Sequence, residues 1–237
     1  MGLKKKQIIF YLITFLFFKQ PCFAITFNDA YNLLKSFPSA KFKNSVESLD
    51  VAINLGVDVK KPEQNVRSSV VLPNGIGKVI RVAVFSDNNK DELLNNGADI
   101  VGIELLFDQI SKGFINFDVL ISDTESMKLI SKLGPILGPK GLMPNPKDGT
   151  VTKDLVSCLQ KIKLGQVMYK TDKYGIIHTS VGRINFDNDK IKANIEALLN
   201  SIKKNKPITS KGIYIKKLFL STTMGPGLLV DLSSFVY

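Results

Sequence analysis

Two short groups of residues, one near each end of the chain, combine cations, an aromatic ring and exposed hydroxyls. Lys41-Phe42-Lys43 places an aromatic ring between two cations, and such a group can stack on a base or sugar while its ammonium groups hold phosphates. Ser221–Gly227 combines threonine hydroxyls with glycines that expose the backbone, which can recognise a 2′-hydroxyl without charge. Taken alone, the first group also fits a solvated loop with one buried phenylalanine, and the second also fits an ordinary turn.

Other residues that could carry chemistry do not form a recognised site. Gly138-Pro139-Lys140-Gly141 resembles a phosphate-binding loop, but Gly141 stands where that motif requires serine or threonine. His178 is the only histidine, and its predicted strand favours a structural role over a catalytic one. Asp118 and Asp123 look like helix caps. The sequence therefore predicts no catalytic, cofactor or metal site, no small-molecule substrate and no enzyme.

The composition is that of a basic globular protein. The 237 residues suffice for one large domain or two modest ones, and a hydrophobic content of 44% is ordinary for such domains. The net charge of +11 predicts a polyanionic partner, and the spread of lysines along the chain favours nucleic acid over an anionic membrane. Cys22 and Cys158 have no spacing typical of a disulfide framework or a zinc site.

The first 25 residues are unusual. Lys4-Lys5-Lys6 precedes the apolar run Ile8–Phe18, and the small residues Cys22 and Ala24 follow it. This order resembles a secretory signal peptide, and the run is too short for a comfortable transmembrane helix. A basic-apolar helix that packs on the body of the protein is the other interpretation. The segment leaves open an alternative protein class, a secreted or membrane-tethered Rossmann-like ligand binder.

Alternating apolar and polar residues predict strands towards both ends of the chain. A helix with an apolar stripe from Ile191 to Ile202 lies between two of them. The elements predicted here are a helix at Asn28–Phe37 capped by Asn28, strands at Leu49–Leu55 and Val66–Leu72, a hairpin of Gln166–Lys170 and Ile176–Val181, a helix at Asn188–Lys204 and a strand at Ile213–Thr222.

In the middle of the chain, nearly continuous apolar strands alternate with helices. This pattern implies a parallel sheet that is covered on both faces. The predicted elements are strands at Val79–Phe85, Asp99–Gly102 and Phe117–Ser122, helices at Asp87–Asn96, Glu104–Lys112 and Thr124–Leu133, a loop rich in glycine and proline, and a helix at Lys153–Lys163.

The economical interpretation is an α/β fold with two domains. An open α/β sandwich is built from both chain ends, residues 26–74 plus 165–237, and a Rossmann-like three-layer α/β domain, residues 75–164, is inserted into it. Residues 1–25 form the apolar leader or an N-terminal helix. The two crossings, near Pro73–Gly77 and Lys163–Gly165, contain glycine, as expected of a double-stranded hinge.

The stretch Leu133–Thr152, LGPILGPKGLMPNPKDGTVT, resembles the signature of the large-subunit ribosomal protein one family. The resemblance extends from about Phe27 to Pro226. The further segments that look like the family are Ser48–Arg67, Leu72–Gly75, Gly165–Gly182 and Lys211–Pro226.

This resemblance implies an RNA-binding constituent of the mobile stalk of the large ribosomal subunit. The split domain would be the main binder of large-subunit rRNA, and the stalk would assist release of deacylated tRNA from the exit site. The family also implies repression of its own operon through binding of the mRNA, which is a further candidate partner. The implied protein is a cytoplasmic, ribosome-associated monomer of bacterial or endosymbiont type, and a membrane partner is not expected.

The family's RNA-contacting residues fall on two groups of positions in this sequence. They are Lys41 and Phe42 in its A-K-F motif, Glu47 and Ser48 in the following segment, and Thr223, Met224 and Gly225 in its T-M-G turn. About three extra residues within Lys43–Val46 displace Phe42 relative to Glu47. A second departure is the apolar run Ile8–Phe18, where the family usually has a basic helix.

The resemblance also implies a role for each of these residues. Phe42 would stack or pack on ribose, and Thr223 and the Gly225 backbone would bond sugar hydroxyls. Met224 would fill the shallow groove. Glu47 would orient a lysine or accept a hydrogen bond from a 2′-hydroxyl.

Overall fold

The computed structural model describes residues 24–37, 46–87 and 90–237. Nearly all of the predicted leader therefore lies outside the described residues, and so do Lys41 and Phe42. Within the described ranges, no helix combines the length and the apolar character that crossing a membrane requires.

The helices and strands are numbered here in chain order. The strands are β1 (Ser48–Leu55), β2 (Arg67–Val71), β3 (Val82–Phe85), β4 (Ile100–Val101), β5 (Val119–Ser122), β6 (Gln166–Lys170), β7 (Ile176–Arg183), β8 (Ile215–Thr222) and β9 (Leu228–Val230). The α-helices are α1 (Phe27–Ser36), α2 (Lys90–Asn95), α3 (Ile103–Ser111), α4 (Met127–Ile130), α5 (Gly134–Leu137), α6 (Leu155–Lys163) and α7 (Asn188–Lys204). Short 3₁₀ turns lie at Pro62–Gln64, Ser131–Leu133, Pro146–Asp148 and Leu232–Ser234.

The two ends of the chain share a four-stranded antiparallel sheet of order β7-β1-β8-β9. Alternate side chains from Leu49 to Leu55 are buried, and those between them point to the outer face. Helices α1 and α7 cover the inner face, where the predicted stripe Ile191–Ile202 of α7 is fully buried. In the described residues, this half of the molecule is therefore a sheet with helices on one face, an open sandwich.

The middle of the chain forms a parallel sheet of order β4-β3-β5. All residues of β3 are buried, because α2 and α6 pack on one face of this sheet and α3, α4 and α5 pack on the other. The predicted three-layer arrangement is present. The predicted α/β fold class, an open sandwich from both chain ends with an inserted Rossmann-like unit, is confirmed.

The predicted hairpin of β6 and β7 is wrong. Strand β6 pairs with β2, and β7 pairs with β1 in the four-stranded sheet. The strands themselves and the turn are as predicted: β6 has the predicted bounds and β7 the predicted start. In the turn, Asp172 accepts hydrogen bonds from the amides of Tyr174 and Ile176, and Gly175 has a φ of +76°. Beyond the bridge between Thr171 and Ile177 the strands diverge, because the edge of β2 offers β6 a partner.

Several predicted boundaries differ in ways that have local causes. Helix α1 is capped by Thr26, whose hydroxyl accepts a hydrogen bond from the Asp29 amide, and not by Asn28. Strand β3 begins at Val82, where its pairing with β5 begins, and Val79, at the predicted start, is largely exposed. The loop predicted after Leu133 contains α5 and a 3₁₀ turn.

Asp118 and Asp123 are not helix caps. Asp118 accepts hydrogen bonds from Lys78 Nζ at 3.0 Å and from the Arg81 amide at 3.1 Å, and it thereby ties the start of β3 to the start of β5. Burial alone would raise the pKa of Asp118, but these donors hold that pKa below its ordinary value of 3.8. Asp123 accepts a hydrogen bond from the adjacent Thr124 amide.

Candidate RNA interface

The described residues among the predicted contacts meet at one end of the four-stranded sheet. Ser48 opens β1, and Thr223 directly follows β8, its antiparallel neighbour, so that Leu49 lies opposite Thr222. The Thr223 hydroxyl accepts a hydrogen bond from the Ser48 amide at 3.1 Å, and the two hydroxyl oxygens lie 3.0 Å apart. Residues that are 175 positions apart in sequence therefore form one polar group, the Ser48–Thr223 pair.

The hydroxyl hydrogens of this pair can be assigned from their neighbours. The Ser48 hydroxyl donates to the Asp50 carboxylate at 3.0 Å. A hydroxyl has one hydrogen and two acceptor positions. Because Ser48 donates its hydrogen to Asp50, the hydrogen of Thr223 can go to Ser48 Oγ, to the Ser48 carbonyl at 3.5 Å, or to a bound ligand. Thr223 is exposed, so a ligand hydroxyl can reach it.

Met224 and Gly225 form the surface of the turn that follows. Met224 is 72% exposed and presents a flexible apolar side chain to solvent. The Gly225 amide donates to the Thr222 carbonyl at 3.2 Å. A Cβ on Gly225 would lie 2.2 Å from the buried Thr222 hydroxyl, so this turn requires glycine.

Glu47 lies beside the Ser48–Thr223 pair but inside the protein. The residue is 3% exposed, and its carbonyl accepts a hydrogen bond from the Ile184 amide at 3.2 Å. A buried carboxylate is poorly placed to accept from an RNA hydroxyl. Its position therefore favours the orienting role expected for this residue over direct contact with RNA. Lys41 and Phe42 remain predictions, since they lie outside the described residues.

The outer face of the four-stranded sheet extends the site beyond the predicted residues. Asp50 lies between Ser180 and Ser221 in the ladder, and these residues line a shallow depression on that face. His178 lies in the same depression with its side chain 63% exposed and 3.6 Å from the Asp172 carboxylate, so it is not a core residue. Strand alternation could have indicated this face, because small polar residues occupy its outward positions.

Within the described ranges, no group of three or more histidine, cysteine or acidic residues could hold a metal ion. Cys158 is buried, and burial raises the pKa of its thiol, which disfavours the thiolate needed for metal binding or nucleophilic chemistry. The Ser48–Thr223 pair and its turn offer hydroxyls, backbone amides and one apolar side chain, with the Asp50 carboxylate and His178 on the adjoining face. Groups of these kinds can bind a ligand by shape and hydrogen bonding.

Comparison with known proteins assigns the chain to a family. The chain matches the profile of the ribosomal protein L1p/L10e family over residues 34–226. It is 53% identical over 212 residues to the large ribosomal subunit protein uL1 of Pseudomonas putida, covering 89% of this chain and 90% of that protein. It is 52% identical over 216 residues to the protein of the same name from Methylococcus capsulatus, covering 91% and 92%.

A third relative, the large ribosomal subunit protein uL1 of Pseudoalteromonas atlantica, is 52% identical over 209 residues and is covered to 88%. These similarities confirm the resemblance stated from the sequence and the prediction that the chain is not an enzyme. They do not favour a secreted ligand-binding protein. The profile match and the level of identity together show that the chain belongs to the ribosomal protein L1p/L10e family.

Proposed function

We propose that this protein, a structural constituent of the large ribosomal subunit, binds large-subunit rRNA at the mobile stalk through the Ser48–Thr223 pair and the turn that follows it. The observation that carries the proposal is the hydrogen-bonded pair beside the exposed Met224. RNA helices present 2′-hydroxyls in a wide, shallow minor groove, and folded RNA is recognised largely through such groups and its shape. Two hydroxyls and an exposed apolar side chain match that surface.

The distribution of charge supports assigning the main RNA contact to the split domain. Residues 75–164 contain 11 Lys and Arg residues and 11 Asp and Glu residues, so they carry no net charge. Of the net charge of +11, +4 lies in residues 1–25 and +7 in residues 26–74 plus 165–237. Phosphates attract basic surfaces, and this attraction supplies much of the affinity for RNA. The proposed division is residues 26–74 plus 165–237 as the RNA-binding domain and residues 75–164 as the inserted domain. Their separate apolar clusters support it.

Release of deacylated tRNA from the exit site is the second part of the proposal. The inserted domain is neutral as a whole, but Lys128, Lys132, Lys140 and Lys147 are all exposed around its segment rich in glycine and proline. These lysines can hold phosphates of a second RNA while the split domain holds the stalk. A cytoplasmic, ribosome-associated location agrees with the family membership.

Repression of the protein's own operon is the third part. An mRNA segment that reproduces the rRNA fold would present the same groove to the Ser48–Thr223 pair. The two RNAs would then compete for one site, so that free protein represses translation only when rRNA is saturated. Competition between an rRNA fragment and the operon mRNA for the purified protein tests this part directly.

Binding of a stalk-rRNA fragment at several salt concentrations tests the main proposal. If about six phosphates are neutralised, affinity should fall by roughly three orders of magnitude between about 50 mM and 200 mM salt. Met224→Asp places a negative charge on an exposed position of the turn, so it should weaken binding without unfolding the protein.

Ile208→Asp is the matched control for that variant. Ile208 is fully exposed and Met224 largely so, and Ile208 precedes β8 whereas Met224 follows that strand. The control therefore makes the same charge change on the same domain at the other end of a long strand. Equal losses of affinity in both variants would mean that the effect is net charge alone, and the assignment of the site would be withdrawn.

A further inference from the structure

Arg183 connects the proposed rRNA-binding end of the four-stranded sheet to the chain that leads into the inserted domain. It is the last residue of β7 and lies opposite Ser48 in the ladder. Its Nη1 donates to the Val46 carbonyl at 2.6 Å, and its Nε donates to the Gly77 carbonyl at 3.0 Å. One guanidinium thus holds both the chain that enters β1 and the chain that leads into the inserted domain.

The first crossing is already anchored to the split domain just before Gly77. Asn194, a fully buried residue of α7, accepts a hydrogen bond from the Asn74 amide at 3.1 Å and donates to the Gly75 carbonyl at 3.0 Å. Its amide also donates to the Val181 carbonyl in β7 at 2.8 Å. Arg183 extends this anchorage along the crossing to Gly77.

Gly77 lies tightly against the corner that follows β7. It has a φ of +74°, and a Cβ there would lie 2.8 Å from the ring of Phe186. The Gly77 carbonyl that Arg183 bonds is therefore held close to this corner. A guanidinium offers several donors in a rigid plane, whereas a lysine has one ammonium on a flexible stem and cannot reproduce both bonds in the same geometry.

The backbone around Arg183 is held without its side chain. The hydroxyl of the buried Tyr31 lies within hydrogen-bond distance of the carbonyls of Ile184 and Phe186 and donates its one hydrogen between them. The Ile184 amide donates to the Glu47 carbonyl at 3.2 Å. Replacing the guanidinium therefore removes the link to Val46 and Gly77 while the corner itself stays in place.

We propose that Arg183 is a positioning residue that couples rRNA binding at the Ser48–Thr223 pair to the seating of the inserted domain at Gly77. The inference rests on the proposed function, since it requires RNA to bind at that pair. Bound RNA holds the start of β1 in place. Through its hydrogen bonds to Val46 and Gly77, Arg183 then holds the chain that enters the inserted domain in the position it has when RNA is bound. Coupling between two sites is reciprocal, so a displaced inserted domain also weakens the RNA contact.

Arg183→Lys keeps the charge and removes the paired geometry. Measured against a stalk-rRNA fragment, this variant should bind about tenfold more weakly, a typical size for coupling between sites, with an unchanged slope of affinity against salt. A residue that merely contacts phosphate would keep its affinity as lysine. Arg81→Lys is the matched control, because Arg81 is an exposed arginine at the start of β3. Thermal melting of each variant checks that it is folded.

Hydrogen exchange in the unaltered protein provides a second readout that does not depend on any variant. Binding of the rRNA fragment should slow amide exchange at residues 76–80, beyond the RNA contact itself. If the unaltered protein does not bind the fragment, the proposed function fails. If it binds, then either full affinity of Arg183→Lys or unchanged exchange at residues 76–80 overturns the coupling.

Discussion

Replacing Thr223 by valine is the most specific perturbation of the candidate interface. Valine has nearly the same shape as threonine, so the change removes the hydroxyl and leaves the bulk of the turn. That hydroxyl accepts from the Ser48 amide at 3.1 Å and lies 3.0 Å from the Ser48 hydroxyl. Thr223→Val therefore separates the Ser48–Thr223 pair and leaves both residues close to their positions.

The expected magnitudes follow from those two hydrogen bonds. Each contributes on the order of 1 kcal/mol to stability after exchange with water. Because Thr223 is exposed, water replaces part of the loss, and the free energy of unfolding should fall by about 1 kcal/mol in total. For a chain of this size that corresponds to a melting temperature about 2–4 °C lower. RNA affinity should fall by about tenfold, since the hydroxyl toward the RNA is lost as well.

Thr223→Ser is the control for this experiment, because it keeps the hydroxyl and removes only the methyl group. Titration of a labelled stalk-rRNA fragment gives the affinity of each variant, and thermal melting gives its stability. The reasoning predicts a loss of affinity for valine and near-normal affinity for serine. If both variants bind like the unaltered protein, the hydroxyl is not part of the interface and the proposed mode of recognition is wrong.

Three further predictions concern the fold that carries the site. Arg67 Nε donates hydrogen bonds of 2.8 and 3.0 Å to the buried carboxylate of Asp148, and Asp148→Asn weakens them. Because Arg67 is partly exposed, the free energy of unfolding in urea should fall by about 1–2 kcal/mol. Ile195→Ala opens a cavity in the fully buried stripe of α7 and should cost about 3 kcal/mol in the same assay, whereas a loss below about 1 kcal/mol would contradict the packing described. The pKa of Asp118 is lowered in the folded state, so its contribution is present above its ordinary value of 3.8 and is lost as the pH falls through the lower folded value. Asp118→Asn should therefore have a lower melting temperature than the unaltered protein at neutral pH, with the difference narrowing as the pH falls below 3.8. A difference that stays constant with pH would show that the carboxylate's charge is not responsible.

The sequence was most informative where the spacing of apolar residues within one segment determines its secondary structure. Helix α7 has the predicted bounds, Asn188–Lys204, because its apolar stripe repeats at the helical period over many turns. Strand β1 was found nearly as well from its alternation. The partner of β6 could not be found in this way, because the edge that β2 offers is set by residues about a hundred positions earlier. A turn after β6 is local information, but the strand with which β6 then pairs is not.

The candidate site shows the same division. The residue types in Ser221–Gly227 indicated hydroxyls and an exposed backbone, and the family resemblance selected Ser48 and Thr223. Their hydrogen bonds arise only from the antiparallel pairing of β1 with β8, which brings distant parts of the chain together. The burial of Glu47 likewise depends on tertiary structure, and so do the two hydrogen bonds that Arg183 donates to the carbonyls of Val46 and Gly77.

The central claim is tested most directly by binding of this protein to large ribosomal subunits. The subunits would first be stripped of their own protein of the same family. The unaltered chain, Met224→Asp and Ile208→Asp would each be mixed with such subunits and sedimented through a sucrose gradient. The unaltered chain and Ile208→Asp should sediment with the subunits, and Met224→Asp should stay near the top. Sedimentation of Met224→Asp with the subunits to the same extent as the unaltered chain would contradict binding through the Thr223–Gly225 turn.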